Sequence, residues 1–148
     1  MTTIATDGKS MAADGQCQNH RDVIVNTERR KIHRLKDGRI AGGAGNSFDI
    51  ASWVEWLNAG KEGDCPIESD QFSGLILDNS STVLWVDHKG RETLTPAPIA
   101  VGSGHELAIG AMEAGASPRE AVEIACRRDI YSGGAVFEEQ PRQPDEVM

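Results

Sequence analysis

A chain of 148 residues has room for one domain with a sizeable core and none for a second. Its hydrophobic content of 39% and charged content of 26% are ordinary for a globular fold, and a net charge of −8 argues against a nucleic-acid or other phosphate-binding surface. No apolar run approaches the roughly 20 residues that cross a bilayer, and the N-terminus lacks signal-peptide architecture. Cys17, Cys65 and Cys126 are odd in number and widely spaced, which fits packing thiols in a reducing cytoplasm better than a disulfide framework.

In chain order, Thr2–Thr6 and Lys9–Ala13 read as a hairpin closed by Asp7-Gly8, a strong two-residue turn signal. A second β region runs through Val23-Ile24-Val25 and Lys31–Leu35, with Asp37-Gly38 turning into Arg39–Ala41. After Gly42-Gly43-Ala44-Gly45, the spacing of Ile50, Trp53, Val54 and Leu57 predicts a helix capped by Asn46 or Ser47 and stopped at Gly60. Trp56 falls off that stripe, toward solvent or a partner. Residues 60–71 read as a polar connector. Strands are predicted at Gly74–Leu77, Thr82–Val86, Glu92–Leu94 and Ile99–Val101, then a helix over about His105–Ala114. Ser117-Pro118-Arg119-Glu120 opens a last helix as a capping box with Pro in the first turn, and a strand near Gly134–Phe137 precedes a tail at 139–148 expected to be disordered. The order ββ, α, ββ, αα, β suits an α+β fold of two antiparallel sheets with helices packed outside them, an αββα sandwich spanning residues 1–138.

Thr2 follows the initiator Met1 and is small enough for Met1 to be trimmed, which would leave Thr2 at the head of the chain. A threonine in that place can attack a carbonyl with its hydroxyl while its own α-amine, with a pKa of about 7.7–8.0, takes the proton. Taken singly, the other residues of interest read blandly. Lys31 is a strand residue, Asp14 a turn residue, and Gly102-Ser103-Gly104 a tight turn before a helix. His33 and His105 are lone histidines, Cys17 and His20 lack the further ligands of a metal site, and Gly102-x-Gly104 lacks the third glycine of a dinucleotide loop. No metal or cofactor is implied.

Taken in order, these segments carry a resemblance. Thr2-Thr3-Ile4, Ala12-Ala13-Asp14, Arg30-Lys31-Ile32, Ile40-Ala41-Gly42-Gly43-Ala44, Val101-Gly102-Ser103-Gly104 and Arg128-Asp129-Ile130-Tyr131-Ser132-Gly133-Gly134 resemble the successive motifs of proteasome β-type subunits and HslV-type peptidases, the N-terminal-threonine hydrolases. The resemblance covers residues 2 to about 138 and implies a threonine peptidase of the αββα fold. It implies Thr2 as nucleophile, Lys31 as the cation at its hydroxyl, Asp14 as the counter-ion of Lys31, and Asp129 with Ser103 and Ser132 as the group orienting the amine. By the same resemblance, the Gly42 N–H faces the oxyanion, and Cys17, Arg29, His33 and Ile40 sit where the substrate side chain binds. A cation in that place favours acidic or neutral side chains.

The implied partners are peptide or unfolded-protein substrates and further copies of the chain in a closed ring, with no nucleic acid and no membrane. Residues 60–71 are too short for the second helix of the hairpin the family places there, which leaves docking of an ATP-dependent unfoldase open. Two other readings fit the same fold: a catalytically silent ring subunit that keeps Met1, and a small-molecule amidase.

Overall fold

The computed structural model describes residues 2–143. Its strands are β1 (Thr3–Thr6), β2 (Met11–Asp14), β3 (Cys17–Gln18), β4 (Ile24–Asn26), β5 (Ile32–Arg34), β6 (Ile40–Ala44), β7 (Ser73–Leu77), β8 (Val83–Val86), β9 (Glu92–Leu94), β10 (Ile99–Gly102) and β11 (Val136–Glu139). Its helices are α1 (Ser47–Asn58), α2 (His105–Glu113) and α3 (Pro118–Cys126).

Two antiparallel sheets follow from strands that are apolar on both faces. The first has the order β10-β1-β2-β11 and the second β5-β6-β7-β8-β9, with the half-buried β3 and the exposed β4 forming a separate pair. On the inner faces Ile4, Met11 and Ala13 of the first sheet meet Ile32, Ile40, Leu75 and Leu77 of the second in one buried cluster. The outer face of the first sheet presents Ala5, Ala12 and Ala100, with Val136 beside them, so that α2 and α3 lie against it through Ala108, Met112, Ala121 and Val122. Across the molecule, α1 buries Ile50, Trp53 and Leu57 on Ala41, Ile76 and Val86 of the second sheet. The layers are therefore αββα, as the residue order suggests, with one helix on one side and two on the other. No helix among the described residues is long and apolar enough to cross a membrane.

Helix ends obey local chemistry. The Asn46 side chain accepts from Phe48 N–H at the start of α1. Ser117 and Glu120 form a reciprocal capping box at the start of α3, with Pro118 in its first turn. The first hairpin differs from expectation. Thr6 pairs with Met11, so the connection is Asp7–Ser10 and not Asp7-Gly8 alone. The Asp7 carboxylate accepts from Lys9 and Ser10 N–H, and Gly8 takes φ +88, which a side chain would strain. Trp56 is also not free. It is half-buried, donates Nε1–H to Gly63 O at 3.3 Å and packs toward the cluster under α1, so the connector 60–71, which holds no helix, covers it. The last strand runs on through Glu139, and Gln140 O and Arg142 N–H still bond Arg34 and Gly38, so the first residues of the expected tail belong to the fold. The rest of that tail, 144–148, lies outside the described residues.

Candidate active site

Thr2 leads directly into β1, Asp14 closes β2, and Lys31 immediately precedes β5. The face-to-face packing of the two sheets brings these three side chains together at one end of the sandwich. Lys31 Nζ donates to Thr2 Oγ1 at 2.6 Å, to Asp14 Oδ1 at 3.0 Å and to Gln16 O at 2.5 Å. Thr2 Oγ1 in turn donates to Asp14 Oδ1. All three are buried: Thr2 is 2% exposed, Lys31 6% and Asp14 0%.

A carboxylate with no access to water has to be satisfied by the protein, and Asp14 is. Besides Thr2 and Lys31, it accepts from Thr3 N–H at 3.0 Å, Gly133 N–H at 3.0 Å and Gln16 N–H at 3.3 Å. Gln16 lies outside every quoted motif, and Gly133, although inside the last of them, has no role that the resemblance assigns. Backbone donors and acceptors have no residue signature, so no signal in the sequence could have shown them.

Beside this triad lies a second polar cluster. The Asp129 Oδ2 atom accepts from Ser103 Oγ and Ser132 Oγ, both at 2.6 Å, and Oδ1 accepts from Tyr131 N–H at 3.2 Å. Since Ser132 donates to Asp129, the 2.7 Å contact between Thr3 Oγ1 and Ser132 Oγ has Thr3 as donor. Ser103 Oγ also stands 3.3 Å from Thr2 O, and Gly104 N–H donates to that same carbonyl at 3.3 Å. Burial raises the Asp129 pKa, but the two hydroxyls and the Tyr131 N–H outweigh it and hold the carboxyl below its ordinary value. Thr3, fully buried at the base of this network, is a third participant that the motifs did not single out.

Thr2 forms part of the wall of a cavity of about 360 Å³ that Cys17, Arg29 and His33 also line. The other two expected residues are elsewhere. Ile40 is 0% exposed and packs in the inter-sheet core. Gly42 stands between Ile32 of β5 and Leu75 of β7, so its N–H is a ladder donor whichever neighbour it bonds, and a Cβ on it would point at Ile4, Ile32 and Met11. Pairing of β5 with β6 stops at Gly42. Beyond it the β5-facing edge of β6 is open, and Gly43 and Gly45 line the cavity there. Strand alternation is the physical reason for both differences: which of two adjacent residues faces the core depends on a phase that composition does not reveal.

The site region therefore supplies a hydroxyl held against an ammonium, a satisfied buried carboxylate, a hydrogen-bonded second carboxylate, and an adjoining cavity. No family model and no curated protein matches the chain in sequence. Among solved structures it is similar to that of eukaryotic HslV from Trypanosoma brucei, with a TM-score of 0.71 and 20% sequence identity over 93% of this chain and 97% of that one. The αββα sandwich of this chain is thus the fold of HslV.

Proposed function

We propose that this chain is an N-terminal-threonine peptidase that hydrolyses peptide bonds through Thr2. The observation that carries the reading is the 2.6 Å contact of Lys31 Nζ with Thr2 Oγ1 in the wall of a cavity. A buried ammonium on a threonine hydroxyl has little structural purpose, since a hydrophobic pair fills the same volume at no desolvation cost. It has a chemical one, because it lowers the energy of an oxyanion forming at Oγ.

With Thr2 at the head of the chain, its α-amine removes the hydroxyl proton as Oγ attacks the substrate carbonyl carbon. The resulting tetrahedral oxyanion takes hydrogen bonds from the backbone at 43–45, where β6 is uncovered by β5. The C–N bond then breaks, the amine fragment leaves with the proton the α-amine had taken, and the acyl fragment stays as an ester on Oγ. A water molecule, deprotonated by the same α-amine, attacks the ester and releases the acid, restoring the Thr2 hydroxyl. Asp14 neutralises and positions Lys31 throughout, and Asp129 with Ser103 and Ser132 fixes the polar surroundings of Thr2. Peptides or unfolded protein are the substrates on this reading. Exposed apolar residues in and just before β4 (Val23, Ile24 and Val25) and on α2 (Leu107) support association of copies into a ring, as does the shared fold with HslV.

The direct test is hydrolysis of short peptide amides by protein whose first residue is confirmed as Thr2. Turnover that disappears in Thr2→Ala supports the reading. Full activity in Thr2→Ala, or none in the parent protein, defeats it.

A further inference from the structure

The cavity beside Thr2 is strongly cationic in a chain whose net charge is −8. Arg29, Arg30 and Lys31 line it in succession, and no Asp or Glu does so among the described residues. The three cations are not equivalent. Lys31 is engaged by Asp14 at 3.0 Å. Arg30 reaches out to Glu139 at 3.3 Å and lies 4.7 Å over the Phe137 ring. The Arg29 guanidinium has no carboxylate or hydrogen-bond partner among the described residues, while its backbone N–H is anchored on Gly15 O at 2.9 Å. Arg29 is exposed where it lines the cavity, so its guanidinium is solvated and open to an anion entering from outside.

We infer that this cavity accepts a carboxylate side chain, so that the enzyme cuts after aspartate or glutamate with Arg29 as the selecting group. The inference rests on the peptidase reading and adds the substrate class to it. The cavity volume, about 360 Å³, exceeds what a glutamate side chain fills. Its lining includes the buried Ile50, which suits the methylenes of that side chain while the guanidinium takes the charge. His33, in the same wall, reports the same field. Burial first, and then the Arg30 and Arg29 charges, lower its pKa, so at neutral pH it offers a neutral imidazole and leaves the positive charge to the arginines. A lysine or arginine side chain entering here would meet like charge, and a leucine would leave Arg29 unpaired.

The test uses the full chain with Thr2 at its head and a set of peptides identical except for Glu, Gln, Leu or Lys at one position, with the broken bond mapped by mass spectrometry. The expected result is cleavage after Glu with kcat/KM at least about tenfold above Gln, a ratio that falls as added salt screens the pair. Arg29→Gln should bring the Glu:Gln ratio to about one, whereas Arg39→Gln, which removes a cation outside the cavity, should leave it as it was. A Glu:Gln ratio near one in the parent, or preferred cleavage after Leu or Lys, overturns the inference and leaves the peptidase standing. A high ratio that survives both Arg29→Gln and high salt overturns the role of Arg29. Failure to cut any of the peptides defeats the peptidase reading, and this inference with it.

Discussion

Lys31 Nζ touches both Thr2 Oγ1, at 2.6 Å, and Asp14 Oδ1, at 3.0 Å, so one buried ammonium joins the first strand of one sheet to the edge of the other. Truncating it leaves Asp14 charged and 0% exposed. Lys31→Met is therefore expected to cost about 3–5 kcal/mol of stability and to abolish peptide hydrolysis. Thermal unfolding separates the two effects. Lys31→Met with Asp14→Asn should recover most of the lost stability and none of the activity. Recovery of activity in the double variant would show that the ammonium is only structural.

Gly102 ends β10 with φ +99, and a Cβ there would collide with the Thr2 carbonyl. Gly102→Ala is expected to destabilise the fold by about 1–3 kcal/mol and to displace Thr2 from Lys31. Thermal melts and peptide turnover check this. A variant with parental stability and turnover would mean that the position of Thr2 is not set by this contact.

The low pKa of Asp129 has a definite sign. A carboxyl whose folded pKa lies below its unfolded value stabilises the fold above that unfolded value, about 3.9, and the contribution is lost as pH falls through the folded value. Ser103→Ala and Ser132→Ala each remove a hydroxyl donor 2.6 Å from Oδ2, so both should raise the Asp129 pKa. Carboxyl-carbon NMR titration reads this directly. An unchanged titration in both variants would contradict the hydrogen-bond assignment.

How much of this was legible in the sequence depends on which atoms do the work. Thr2, Asp14, Lys31, Ser103, Asp129 and Ser132 meet through side-chain atoms, so their motifs show in the residues, and the structure brings them together. Gly133 and Gln16 act on Asp14 and Lys31 through backbone atoms, which any residue could supply at those places. Gly42 and Ile40 lie on the cavity's own strand but face the wrong way or lie too deep, because a strand's phase is settled by what packs on it. The layers followed from the order of the elements, whereas the alternation that sends Ile4 and Met11 inward and Ala5 and Ala12 outward shows only in the packing, and the cover over Trp56 depended on a loop path that no periodicity encodes.

Cys126 offers a check on the packing under α3. Burial first, then the negative charge of Asp14, pushes its thiol up to about 11. Alkylation by iodoacetamide at about pH 8 should label Cys126 last of the three cysteines, as read by peptide mass mapping. Labelling of Cys126 ahead of Cys17 and Cys65 would mean that α3 is more open than its contacts indicate.

Everything in the proposed peptidase chemistry turns on Thr2 Oγ as the nucleophile. A peptide vinyl sulfone, which traps an attacking oxygen or sulfur irreversibly, tests it on protein confirmed to begin at Thr2. After digestion, one adduct is expected, on Thr2 in the peptide Thr2–Lys9, and none in Thr2→Ala or Lys31→Met. An adduct on Cys17, which lines the same cavity, or no adduct at all under conditions where peptides are cleaved, would contradict it.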